Sequence, residues 1–270
     1  MLTQITKNVW VHESSCMQSN ATVVKGEDGV LLVDAGLTSD EMASIADDLS
    51  KMELPVTLGF STHPHWDHVL WHPRFGNAPR YGTAAAAAHM QASLSNPNWQ
   101  EEEAADLPEE VAGQVPLDSL FGKITALPAG TAHLPWNGPR VRVIEHSGHA
   151  PGHAALFVEE SKVLIAGDML SDVFIPMLNV AAPDPVNDYL AALDLFERVA
   201  GDAEFVIPGH GSVGQGSQVR KRIEQDRSYV TALRDGTPTS DPRITSPKNG
   251  WEWVAGIHNW QAQTITQKQQ

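Results

Sequence analysis

A chain of 270 residues with 41% apolar content is long enough for one large domain on an ordinary hydrophobic core. Its formal charge of −15, from 33 acids against 18 bases, argues against a nucleic-acid backbone or an anionic membrane as main partner. The single cysteine, Cys16, excludes an internal disulfide and a cysteine-based metal knuckle.

The first ten residues lack a basic region followed by an apolar run, and no stretch approaches the ~18 apolar residues of a membrane span. A cytoplasmic protein is therefore expected. Residues 9–12, 21–24 and 30–33 are short β-prone runs, and Gly26, Glu27, Asp28 and Gly29 form a hairpin turn between the last two. Thr38 and Glu41 have the spacing of a capping box, opening a helix to about residue 51 with Ile45, Leu49 and Met52 on one side. Pro55 stops it, and a buried strand over 56–60 follows. This order of hairpins, then strand, helix and strand predicts a mixed α and β architecture.

The strand over 56–60 runs into His63, Pro64, His65, Trp66, Asp67 and His68. Imidazole and carboxylate are suitable ligands for a divalent first-row ion. Side chains two apart on extended chain point the same way, so His63 and His65 can grip one ion. If the chain then turns helical, Asp67 and His68 leave in another direction, toward a second ion. Residues 69–73 are expected to end that short helix, and 84–92 form an alanine-rich one.

From 93 to 139 the pattern loosens, with acidic runs and six prolines, among them Pro97, Pro108 and Pro116. A solvated face of short helices and loops is expected there, with a cap over the site as the functional alternative. Order returns with strands over 141–144, 154–158 and 163–166, a helix over 185–199 opened by Pro185, a strand over 205–207 and a helix over 217–233. The domain is set at 1–234. A tail over 235–270 carries Trp251, Trp253 and Trp260, expected to cover the domain or a homodimer interface. Four strands thus end in polar residues: the 63–68 cluster, His149, Asp168 and His210. Strand ends are where rigid scaffolds place chemistry.

Here the sequence resembles the metallo-β-lactamase-fold superfamily. The HxHxDH motif stands at 63–68, and the later family positions match His149, Asp168 and His210, with a family turn at 33–36. The resemblance covers about residues 8–215. It implies an α/β (α+β) fold, an αββα sandwich with metals at one edge of two mixed sheets. It also implies two zinc ions, with iron or manganese as alternatives. His63, His65 and His149 would bind the first, Asp67, His68 and His210 the second, and Asp168 would bridge. A hydroxide shared by the ions, oriented by the catalytic Asp67, would attack the substrate. His146 and His153 are assigned structural or supporting places, and His12, His72, His89, His133 and His258 ordinary ones.

Family β-lactamases lack the bridging Asp, so Asp168 points instead to a hydrolase of a small ester, lactone or related acyl substrate. Lactonases of the family carry a tyrosine soon after that Asp. This chain has none there, and Tyr189 is the nearest. Trp66 and Phe174 are the candidate substrate-binding residues. The alternatives on the same ligand set are an iron-dependent sulfur dioxygenase-type oxidoreductase and a phosphodiesterase or organophosphate hydrolase.

Overall fold

The computed structural model describes residues 1–105, 107–115, 117 and 121–269. Among them, two sheets face each other. The first has seven strands in chain order: β1 (Thr3–Thr6), β2 (Val9–Glu13), β3 (Asn20–Lys25), β4 (Val30–Val33), β5 (Val56–Phe60), β6 (Arg80–Gly82) and β7 (Thr125–Ala126). The second has five, in the order β12-β11-β10-β9-β8: β8 (Val141–His146), β9 (His153–Val158), β10 (Val163–Gly167), β11 (Phe205–Pro208) and β12 (Gly214–Gln215). Both sheets are mixed. β4 runs parallel to β5, β10 parallel to β11, and β9 antiparallel to both its neighbours.

Alternation along the strands separates three apolar layers. Leu31 and Val33 of β4 point between the sheets, where they join Leu58, Phe60, Leu156, Val163, Ile165 and Ile207. Val30 and Leu32 point the other way, onto Met42, Ile45 and Leu49 of α1 (Ser39–Lys51). Leu164 and Ala166 of β10 likewise turn out onto Leu193 and Phe196 of α5 (Pro185–Ala200) and Val219 and Ile223 of α6 (Gln218–Asp235). A strand covered on both faces must be apolar throughout, and β4, β9 and β10 are buried at every position. The result is the expected αββα sandwich.

Local chemistry sets the element ends. The Thr38 hydroxyl accepts from the Glu41 amide, and Glu41 accepts in return from the Thr38 amide. This capping box is worth about 1 kcal/mol. The helix expected to end over 69–73 is absent. Trp66–His68 is one 3₁₀ turn, Leu70 bridges to Phe121, and Pro73–Phe75 forms a second turn. His72 is held extended by the proline that follows it.

The 93–139 segment forms α3 (Trp99–Ala105) and α4 (Glu109–Ala112) after α2 (Ala84–Ser95), with β7 beyond. Pro116 lies outside the described residues. Residues 235–269 are folded: α7 (Pro242–Thr245) and α8 (Val254–Gln269) pack on the outer layer of the second sheet through Trp251, Val254 and Ile265.

Candidate metal centre

Strand ends of both sheets meet at one edge. β5 delivers His63 and His65, and the 3₁₀ turn after it delivers Asp67 and His68. His149 comes from the β8–β9 turn, Asp168 from the end of β10 and His210 from the end of β11. Asn20 at the start of β3 fastens the sheets together here. Its side-chain amide donates to the Pro208 and Gly211 carbonyls, and its backbone amide to that of Gly209. A side chain at position 209 would collide with the Asp168 carboxylate, so glycine is required there.

The structure brings all seven sequence-predicted ligands together, in two groups whose donor atoms each lie within 4.8 Å: His63, His65, His149 and Asp168, and Asp67, His68 and His210. Asp168 spans them. Its Oδ1 is 3.2 Å from His68 Nε2, and its Oδ2 is 3.6 Å from His149 Nε2 and 3.5 Å from His210 Nε2. Asp67 Oδ2 lies 3.1 Å from His210 Nε2 and 3.3 Å from His68 Nε2.

The outer ring nitrogens are committed elsewhere. His149 Nδ1 donates to the Met177 carbonyl (2.8 Å) and His210 Nδ1 to that of Met17 (3.0 Å). His68 Nδ1 donates to Asp34 Oδ2 (2.9 Å), and His63 Nδ1 to the Thr62 hydroxyl (3.0 Å). Each Nε2 is thereby aimed into the cluster, the usual device for orienting metal-binding imidazoles. His65 instead turns its Nδ1 inward, 3.1 Å from His149 Nε2. Met17 and Gln18, beside His210, both have positive φ, a strained pair in the loop that supplies the carbonyl.

Protonation differs across the site. Burial pushes His63 well below its ordinary range, His65 down to about 3, and His149 down. Burial also disfavours charge on His68 and His210. There Asp67 and Asp168 outweigh it, holding His68 well above its ordinary value and His210 up at about 10. Burial would raise Asp67 and Asp168, yet these imidazoliums hold both carboxyls low.

His63 Nε2, His68 Nε2 and Asp168 Oδ1 are buried without a well-aligned hydrogen bond. Buried polar atoms in such a state, converging with borderline nitrogen and oxygen donors, fit a divalent ion in each group.

Sequence reasoning missed Asp34. It accepts from the Thr62 amide and hydroxyl as well as from His68, and sits at positive φ at the end of β4. Its place at a strand end, two residues before Gly36, was the available signal. His153 stacks between His63 and His146, at 4.8 and 4.5 Å between ring centroids. Tyr189 is fully buried and donates to Asp226, and none of the three tyrosines lines the cleft above the cluster. Trp66 and Phe174 do line it, joined by Trp251 and Trp253 from the chain's last segment.

The loop after Asp168 is held by a buried ion network. Arg243 pairs with Asp226 (2.6 Å) and Asp241 (2.8 Å) and donates to the Ser171 and Phe174 carbonyls. Asp226 also accepts from the Leu170 amide.

Residues 15–210 match the family model described as the metallo-beta-lactamase superfamily. The chain belongs to that superfamily, whose members are mostly metal-dependent hydrolases. It is 23% identical over 223 residues to a metallo-beta-lactamase type 2 of Bacillus cereus, across 79% of this chain and 77% of that protein. A beta-lactamase domain protein from Burkholderia ambifaria superposes with TM-score 0.67 at 20% identity, covering 97% of this chain and 86% of the other. A metallo-beta-lactamase family protein from Thermus thermophilus does so with TM-score 0.67 at 22% identity, covering 97% and 92%. No helix among the described residues is long and apolar enough to cross a membrane.

Proposed function

We propose that the protein is a dinuclear zinc hydrolase of a small carboxylic ester or lactone. The observation that carries this reading is Asp168, whose two oxygens face the two ligand groups at once. His63, His65 and His149 would hold one ion, Asp67, His68 and His210 the other, and Asp168 both. When bound, such a pair supplies Lewis acidity and a water activated at neutral pH. The chain's own groups do the rest. Asp67, within 3.3 Å of His68 and 3.1 Å of His210, would accept a hydrogen bond from the attacking water and orient it. Thr62, Asp34 and the Met17 and Met177 carbonyls fix the imidazoles, so little reorganisation accompanies the reaction. Phe174 and Met177 give the substrate an apolar wall.

The test is proton release on a pH-stat with zinc-loaded protein, comparing aliphatic lactones and simple carboxylic esters with phosphodiesters. Acid release from the first two, lost in Asp168→Asn, is expected. Release from phosphodiesters alone would overturn the substrate class. Silence from all, with one iron per chain and oxygen uptake, would replace the hydrolase by an iron-dependent oxidoreductase.

A further inference from the structure

The ligand cluster forms the floor of a cleft of about 1600 Å³. Phe174, Trp251 and Trp253 pack together as one aromatic face of it. Trp251 and Trp253 lie 5.4 Å apart with planes 30° from parallel, and Phe174 is 5.7 Å from Trp253. Trp251 is buried beneath, whereas Trp253 stays 45% exposed, as does nearby Trp260 at 49%. Open indoles lining a cleft above such a cluster are apolar area awaiting a partner.

Charge narrows that partner. Among the described residues lining the cleft there is no lysine or arginine, while Asp40, Glu41 and Glu103 are present. An anionic group entering there meets carboxylates and the electron-rich faces of indoles, with no fixed side-chain counter-ion beyond the ligand cluster. An uncharged apolar group is accepted by the indoles through burial, and a cation through its attraction to their faces.

Resting on the ester or lactone reading, we propose that the part of the substrate remote from the cleaved bond is apolar and uncharged or cationic. It docks on the face formed by Phe174, Trp251 and Trp253, and Trp253 sets the specificity. The cleft selects against anionic substrates by leaving them without a partner, a form of discrimination by omission.

The test uses three acetates of matched shape, whose alcohols end in a tert-butyl, a trimethylammonium or a dimethylcarboxylate group. With zinc-loaded protein, kcat/KM for the first two is expected within tenfold of each other and at least tenfold above the third. Trp253→Ala is expected to raise KM for the first two at least fivefold, with a smaller change in kcat. Trp253 is exposed, so its truncation leaves the core intact. A carboxylate ester hydrolysed as well as the others, or an unchanged KM in the variant, would overturn the proposal while leaving the hydrolase standing.

The converse failure is read on chelator-treated protein by saturation-transfer NMR with the three free alcohols. The neutral and cationic alcohols are expected to bind, and Trp253→Ala to abolish their signal. That result with no acetate turned over would sink the ester reading and keep the docking face. Preferential binding of the carboxylate alcohol would sink the face.

Discussion

Burial outweighs Asp168 at His63 and His149, although its Oδ2 lies 3.8 and 3.6 Å away, and it prevails at His65 too, whereas His68 and His210 sit against Asp67 as well as Asp168. The first group offers bare nitrogens at neutral pH. The second is filled with protons that stand where an ion would stand, neutralising Asp67 and Asp168. The same side chain, buried to a similar depth, is thus held neutral in one group and cationic in the other by its neighbours alone. Metal must displace protons on one side of the site and almost none on the other, so the two sites fill with different pH dependence.

Asp168→Asn strikes both groups and is expected to have the largest effect. Turnover should fall on the order of 10³-fold, about 4 kcal/mol of transition-state stabilisation. Metal content should fall in both groups, with circular dichroism unchanged. Loss of one ion only would assign Asp168 to a single group.

Asp34→Ala separates the groups, because Asp34 reaches His68 and no other ligand directly. Affinity for the second ion should drop about 10–100-fold. Isothermal titration should show the first ion binding as before, and equal weakening of both would break the distinction.

The protons themselves can be read in chelator-treated protein. His210, held at about 10 against an ordinary 6.5, contributes stability that is complete below pH 6.5 and lost as pH rises toward 10. His65, held at about 3, acts in the opposite sense. The unfolded chain binds a proton that the folded one refuses, so stability is lost as pH falls from 6.5 toward 3. Each contributes at most about 1.4 kcal/mol per pH unit. The thermal midpoint should peak near pH 6.5 and fall on both sides. Scanning calorimetry with a flat midpoint from 6.5 to 9 would contradict the charge assigned to His210.

Thr62→Val should give the smallest effect. It deletes a hydroxyl that links the two groups, accepting from His63 and donating to Asp34, which holds His68. A loss of about 1 kcal/mol, or several-fold in affinity for each ion, is expected from titration.

The seven clustered residues were legible because their signal is local. His63 to His68 fall within six residues, and His149, Asp168 and His210 each stand beside glycine or proline where a β-prone run stops. Asp34 was not, because its meaning depends on pairing. Parallel register sets Val33 beside Phe60, which brings Asp34 to Thr62 and His68. β6 and β7 have three and two residues, too short to show a period of two. Residues 69–73 carried apolar side chains that suit a helix, but the proline at 73 and the bridge from Leu70 to Phe121 took the chain elsewhere. The aromatic face escaped sequence reading because Phe174 and Trp253 are joined only by tertiary packing.

Arg243 stands more than thirty residues beyond the last residue of the family match. It is nevertheless the buckle on the loop that carries Phe174. A chain cut after Gly236 would keep every side chain of the His and Asp cluster and lose the guanidinium that closes this loop, leaving Asp226 as a buried carboxyl without its cation. The cluster thus lies within the stretch matched by the family model, while the side chain that fastens the loop beside it, and Trp251 and Trp253 of the cleft wall, lie beyond that stretch.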